Sequence, residues 1–124
     1  MMPTLNFQKQ FAAAVESGEK RQTIRAPRKR PIRVGDTLYL YTCMRTKACR
    51  KLGEAKCISS NFVTIDGTYG DFDGIWHGTE MRVANRPVDI EEAALADGFP
   101  DARRMLEWFE KTHGLPFYGY LIQW

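Results

Sequence analysis

Apolar residues near the start of the chain recur at the spacing of a helix face. Successive members are three or four residues apart: Phe7, Phe11, Ala14 and Val15. Side chains at this spacing share one side of an α-helix. Asn6 is of the type that caps helix starts, and Gly18 is of the type that ends helices. We therefore predict an amphipathic helix that begins after Asn6 and ends at Gly18.

Four later stretches have the alternation, or the β-branched and aromatic content, of strands. They cover residues 36–42, 52–66, 80–84 and 117–124. We interpret the second as one long or bulged strand that ends in a turn at residues 66–67. The aromatic residues of the last stretch are suited to a central or barrel position in a sheet.

Capping residues mark two short helices ahead of the last strand. Asp89 precedes a helical stretch over residues 90–96, which ends at Gly98. Pro100 and Asp101 precede a second helix over residues 102–111. The side chains of this helix that we predict to face the core are Met105, Leu106, Trp108 and Phe109.

The order of these elements indicates an α+β fold. The strands are joined by turns rather than by helices, which argues against a parallel βαβ sheet. We predict a small, mostly antiparallel β-barrel with an N-terminal helix and two short helices that flank one opening. A chain of 124 residues is long enough for one hydrophobic core, so residues 1–124 are predicted to form a single domain.

Composition is that of a globular protein, with 44% hydrophobic and 27% charged residues. It has no apolar run of the roughly 20 residues that span a membrane, and no segment typical of a signal peptide. Cys43, Cys49 and Cys57 are odd in number and lack CxxC spacing, which is typical of reduced thiols. We predict a cytoplasmic protein, most simply a monomer, without membrane, metal or cofactor. A zinc site that adds His77 or His113 to the cysteines is the alternative.

Positive charge is concentrated in the first half of the chain. Residues 1–57 carry 13 Lys and Arg against 4 Asp and Glu, whereas residues 58–124 carry 5 against 11. The basic residues gather further within residues 20–33 and 45–56. This distribution favours a phosphate-bearing or polyanionic partner, and a solvated charged face is the alternative.

One short block combines an amine, a hydroxyl and a guanidinium at the junction of the first helix and a strand-like run. Thr23 and Arg25 would share a face of a strand, because side chains alternate with a period of two. Lys20 would join them only if the chain still turns after Gly18. Such a trio can converge on one small polar group; otherwise Thr23 is an ordinary strand residue and Lys20 is solvated.

With this block the chain resembles the ASCH domains, a branch of the PUA-like barrel superfamily. The resemblance covers nearly the whole chain and includes the opening helix, the strand after Gly35-Asp36 and the closing aromatic strand. Two motifs carry it: Gly-x-Lys-x-x-Thr-x-Arg (Gly18, Lys20, Thr23, Arg25) and Ala-x-x-Asp-Gly-Phe (Ala94, Asp97, Gly98, Phe99).

The resemblance implies a barrel with a cleft, related to RNA-binding modules. One ASCH branch hydrolyses N4-acylated cytidines with a lysine, a threonine and a glutamate. Lys20 and Thr23 match the first two positions, and the third falls on Asp97, whose side chain is one methylene shorter than glutamate. Other ASCH proteins resemble ribonucleases or RNA binders.

Elementary chemistry gives each residue of this site a role. Thr23 becomes a nucleophile only if a base removes its proton, and Lys20 could be that base if burial and Arg25 lowered its pKa. Asp97 could orient the amine or pass a proton to the leaving amine. Arg25 could hold a carbonyl oxygen, a phosphate or a ribose. A Cys43–histidine pair is a rival scheme.

The two basic loops supply the remaining predicted ligand contacts, because cations beside aromatic rings can hold phosphates while a base stacks. These substrate- or nucleic-acid-binding residues are Arg25, Arg28, Lys29, Arg30, Tyr41, Arg45, Lys47 and Arg50. We predict an RNA- or nucleoside-directed hydrolase that cleaves the amide of an acylated cytidine. The alternatives are a non-catalytic RNA-binding module and a ribonuclease that uses the same basic cleft.

Overall fold

The computed structural model describes residues 3–124, which contain three helices and eight strands. The strands are Thr4–Phe7 (β1), Gln22–Arg25 (β2), Thr37–Thr42 (β3), Arg50–Lys56 (β4), Ser59–Tyr69 (β5), Trp76–Val83 (β6), Arg86–Val88 (β7) and Phe117–Gln123 (β8). The helices are Lys9–Ser17 (α1), Ile90–Ala96 (α2) and Ala102–Thr112 (α3). The predicted α+β class is confirmed.

The strands form two sheets, ordered β1-β3-β4 and β2-β8-β5-β6-β7. The β1–β3 pair is parallel and all other pairs are antiparallel. β8 lies between β2 and β5, the central position for which its aromatic sequence is suited. Within residues 3–124 no closed barrel forms, because each sheet keeps two edge strands.

The start of the chain differs from the prediction. Phe7 is a buried residue at the end of a strand that was not predicted, and α1 begins only at Lys9. Gln8 is the N-cap, so Asn6 does not cap the helix. The spacing was misleading because Phe7, a buried residue of the strand, stands four positions before Phe11, the first buried residue of the helix. The predicted end is confirmed: Gly18 is left-handed (φ 85°) and its N–H bonds the Val15 carbonyl at 3.2 Å.

The long strand predicted over residues 52–66 is two strands, β4 and β5, separated by Cys57 and Ile58. The turn predicted at residues 66–67 is also wrong, since β5 continues to Tyr69 through a bulge between Asp66 and Thr68. The Asp66 carboxylate accepts a hydrogen bond from the Gly67 N–H at 2.8 Å, which stabilises the bulge. β6 begins at Trp76, earlier than predicted, and β7 was not predicted.

Both late helices agree with their predicted capping. The Asp89 carboxylate accepts from the N–H groups of Glu91 and Glu92, and that of Asp101 accepts from Arg104. Carboxylates at these positions satisfy N–H groups that have no partner within the helix. The two caps fix where α2 and α3 begin, and hence where the α2–α3 connection lies.

Trp108 was predicted to be a core residue, but it is only half-buried. Its indole N–H donates to the Gln8 side chain at 3.2 Å, and its ring packs against Phe99 and Phe109. The other three predicted residues of α3, Met105, Leu106 and Phe109, are buried. The apolar face of α3 is therefore wider than the part that packs in the core, and Trp108 at its edge lines a cavity.

A single apolar core draws on both sheets and all three helices. α1 packs on β1, β3 and β4, whereas α2 packs on α3 and β6. No helix among residues 3–124 is long and apolar enough to cross a membrane.

Candidate functional site

Lys20 is turned into the protein by the end of α1. After the left-handed residue Gly18, the Lys20 N–H bonds the Ala14 carbonyl at 2.9 Å, so the chain is still turning at this point. The Lys20 side chain is 3% exposed. The turn that Lys20 needs in order to approach Thr23 is therefore present, and the amine does not face solvent.

The partner of Lys20 is Asp97, 77 residues later in the chain. The ammonium lies 3.2 Å from a carboxylate oxygen of Asp97 and donates to its main-chain carbonyl at 2.5 Å. Asp97 is the C-cap of α2 and is 5% exposed. The amine also lies 5.0 Å from the Phe11 ring centroid, within reach of a cation–π interaction. α1 and α2 are thus joined by a buried ion pair.

Burial shifts both members of this pair toward their neutral forms. Desolvation lowers the pKa of Lys20 below its usual 10.5, against the attraction of Asp97, and the Arg25 charge lowers it further. Desolvation likewise raises the pKa of Asp97 above its usual 3.8, against the attraction of Lys20. The pKa values of the two groups are therefore closer to each other than those of free lysine and aspartate. Shifts of this kind are common in groups that exchange protons with a substrate.

Thr23 and Arg25 share a face of β2, as predicted. The Arg25 Nε donates to the Thr23 hydroxyl at 2.9 Å, and a terminal nitrogen donates to the Asn6 carbonyl at 2.8 Å. This N–H occupies one lone pair of the hydroxyl oxygen, which leaves the hydroxyl proton available to another acceptor. Desolvation, with a smaller effect of Arg28, lowers the pKa of Arg25 to about 10, so the guanidinium stays charged at neutral pH.

These four side chains line one cavity of about 710 Å³. Ligand pockets commonly fall between roughly 300 and 1,000 Å³ and combine apolar walls with a few convergent polar groups. Aromatic rings supply the walls here: Phe7, Phe11, Phe99 and Trp108. The cavity therefore pairs flat apolar surfaces with an amine, a hydroxyl, a guanidinium and a carboxylate.

The basic loops contribute fewer residues to the cavity than predicted. Arg28 and Arg45 line it, one from each loop. The predicted binding residues outside its lining are Lys29, Arg30, Tyr41, Lys47 and Arg50. Arg50 pairs with Glu16 of α1 on the surface, and Tyr41 is half-buried on β3. Cys43, the rival nucleophile, also lies outside the lining.

Two contributors to the site were not predicted. Asn6 accepts from Arg25 through its carbonyl and from the Met44 N–H through its side chain, at 2.8 and 3.1 Å. Gln22 donates to the Asp97 carboxylate at 3.4 Å. No sequence signal marks Gln22, because it stands on the opposite face of β2 from Thr23, and Asn6 was interpreted as a helix cap.

Gly98 is constrained by the same buried pair. It is left-handed (φ 93°), and a Cβ there would stand 3.0 Å from Phe11 and 3.3 Å from the Lys20 side chain. We expect Gly98→Ala to lower the free energy of unfolding by about 2–3 kcal/mol, from left-handed strain plus overpacking. Gly114→Ala is the matched control, because Gly114 is also left-handed (φ 82°) but has open space around it. Urea denaturation of both variants measures the difference, and equal losses would contradict the crowding at Gly98.

Residues 3–124 contain no group of three or more His, Cys, Asp or Glu side chains that could hold a metal ion. The three cysteines are free and differ in exposure, from buried Cys57 to exposed Cys49. Comparison with protein families, curated proteins and solved structures found no match to this chain.

Proposed function

We propose that the protein hydrolyses the amide of an N4-acylated cytidine-type nucleoside, with Lys20, Thr23 and Asp97 as its catalytic residues. The observation that supports this most is the buried Lys20–Asp97 pair, which lines one cavity together with the Thr23 hydroxyl. A buried amine with a lowered pKa is the kind of base that a threonine nucleophile requires. The ASCH resemblance matches Lys20 and Thr23 to two catalytic positions of one branch and Asp97 to the third, where that branch has a glutamate.

In the proposed reaction, neutral Lys20 removes the Thr23 proton and the hydroxyl oxygen attacks the acyl carbonyl carbon. Arg25 holds the negative charge that develops on the carbonyl oxygen. The C–N bond then breaks, and the exocyclic amine leaves with the proton that Lys20 took from Thr23, delivered directly or passed on through Asp97. A water oxygen then attacks the acyl carbon of the resulting threonine ester, and a proton of that water goes to the Thr23 oxygen. The carboxylic acid is released and the Thr23 hydroxyl is restored.

The proposal includes a finer description of the fold. We propose that the two sheets are an open form of a PUA-like barrel, that residues 1–124 form one ASCH domain, and that α2 and α3 flank its opening. In this arrangement the α2–α3 connection delivers Asp97 to the cleft, while β2 delivers Thr23 and Arg25.

The test is to incubate purified protein with N4-acetylcytidine and follow cytidine and acetate by chromatography. We expect product from the wild type and none from Lys20→Ala or Thr23→Ala. Arg103→Gln is the matched control, because Arg103 is an exposed residue of α3 outside the cavity lining. Wild-type protein that forms no cytidine would overturn the proposal. RNA binding without product would then favour the non-catalytic alternative, and Lys20-dependent RNA fragments would favour a ribonuclease.

A further inference from the structure

A row of aromatic residues outside the cavity lining lies on the face of the five-stranded sheet that also carries Arg25. Phe62 on β5 is in register with Tyr120 on β8, and their ring centroids are 6.1 Å apart. Tyr118 stands two residues before Tyr120, on the same side of the strand. Phe62 is 41% exposed and Tyr118 is 56% exposed, whereas Tyr120 is half-buried. The three neighbouring rings form an aromatic surface on which a planar group could stack.

Positive charge borders one end of this aromatic row. Arg25 on β2 is in register with Tyr120, and a small groove beside Tyr120 is lined by Arg25, Arg28 and Pro31. Residues 26–33 contain four cations and no acidic residue: Arg28, Lys29, Arg30 and Arg33. Basic side chains next to exposed rings form the combination that holds phosphates while bases stack.

The opposite end of the row is closer to neutral. Arg82 on β6 is in register with Thr64, which is in register with Tyr118. Arg82 is ion-paired with Glu80 at 2.6 Å and also donates to the Asn85 carbonyl. The Arg82 charge is therefore offset by Glu80, whereas residues 26–33 carry four cations and no acidic residue. This difference gives the face a direction: phosphates toward residues 26–33 and bases over β8 and β5.

We propose that this face binds single-stranded nucleic acid, with bases stacked on Phe62, Tyr118 and Tyr120 and with phosphates held by residues 26–33. The rings require unpaired bases, since those of a duplex are stacked on one another. Arg25 and Arg28 line both the groove beside Tyr120 and the large cavity, so a bound strand would pass the mouth of the cavity. Binding at this face does not require that the cavity catalyses hydrolysis.

The test measures fluorescence anisotropy of a labelled single-stranded RNA of mixed sequence, about twelve nucleotides long, as suits sites of this kind. Two double variants separate the effect of aromatic stacking from that of apolar side-chain volume. Phe62→Leu/Tyr118→Leu keeps apolar side chains but removes the rings, whereas Phe62→Tyr/Tyr118→Phe keeps the rings. Phe72→Leu is the matched control, because Phe72 is fully exposed in the β5–β6 connection outside the row.

We expect the leucine pair to weaken RNA binding at least tenfold, in line with the loss of two stacking rings. The ring-keeping pair and Phe72→Leu should bind as the wild type does, and the same RNA in a duplex should bind at least tenfold more weakly. Affinity should fall steeply with salt, and less steeply after Arg28→Gln/Lys29→Gln/Arg30→Gln. The leucine pair should keep wild-type hydrolysis of a free nucleoside, because neither residue lines the cavity.

Several outcomes would overturn the proposal: no RNA binding by the wild type, equal binding of the duplex, or equal binding by the leucine pair. A wild-type dimer that the leucine pair disrupts, without RNA binding, would assign the face to protein contacts instead. Failure of the cytidine assay alone would leave the binding result intact, so the two proposals fail separately.

Discussion

Replacing Thr23 by valine is expected to lower kcat for the proposed hydrolysis by about a thousandfold or more, the scale seen when a catalytic nucleophile is removed. Valine has nearly the same shape, so the cavity keeps its walls. What disappears is the hydroxyl that accepts from Arg25 at 2.9 Å and that would attack the acyl carbon. The measurement is single-turnover release of cytidine from N4-acetylcytidine.

Thr23→Ser is the control that separates chemistry from folding, because it restores the hydroxyl without the methyl group. We expect the serine variant to keep measurable turnover. The valine variant should lose only about 1–3 kcal/mol of unfolding free energy, from the unpaired Arg25 N–H. Similar turnover in the wild type and the valine variant would remove Thr23 from the mechanism, whatever its position in the cavity.

Replacing Lys20 by methionine is expected to lower the free energy of unfolding by about 3–5 kcal/mol near neutral pH, since one charge of a buried pair is left without its partner. Asp97 is 5% exposed, so solvent stabilises its charge only weakly once the ammonium is lost. The Gln22 amide, which donates at 3.4 Å, remains as a weak partner. Urea denaturation of the variant and the wild type gives the difference directly.

The loss should depend on pH in a defined direction. Loss of Lys20 removes an interaction that lowers the pKa of Asp97, so this pKa rises further above its unfolded value of 3.8. At a pH below the unfolded value, Asp97 is neutral in both states and the loss is smallest. As the pH rises from the unfolded value toward the folded pKa, the unfolded state has released a proton that the folded state retains, so the loss grows over this range and is constant above it. A loss that does not vary with pH would contradict this account.

Adding Asp97→Asn to Lys20→Met provides the matched control. The amide removes the charge that lacks a partner, while it keeps the size of the side chain and an acceptor for Gln22. Neutral replacements of both members of a buried pair often cost little. We therefore expect the double variant to recover most of the stability at neutral pH and to lose the pH dependence. A double variant as unstable as Lys20→Met would mean that the stability is lost through altered packing around position 20, and not through the unpartnered Asp97 charge.

Elements defined by local signals were the ones that the sequence could predict. Asp89 and Asp101 each precede a helix and cap it through N–H groups two or three residues away, so the whole signal lies within a few positions. The break between β4 and β5 has no such signal, because neither Cys57 nor Ile58 is a turn residue. It arises where Cys57 exchanges main-chain hydrogen bonds with the turn at Gly35 and Asp36, a contact made only in the folded chain.

The candidate site divides in the same way. The alternation that places Thr23 and Arg25 on one face is local, and so is the turn after Gly18 that brings in Lys20. Asp97 stands 77 residues from Lys20 and could be assigned to the site only through the ASCH resemblance. The contribution of Asn6 depends on β1, a strand whose pairing with β3 is not encoded in its own four residues.

The Lys20 amine is held in two ways that differ in kind. Its contact with the Asp97 carboxylate depends on which residue occupies position 97, but its contact with the main-chain carbonyl at 2.5 Å does not. A substitution at position 97 can therefore change how readily the amine takes up a proton and still leave it anchored to the end of α2. The location of the amine and its basicity are consequently separable properties, and the second can be tuned without rebuilding the first.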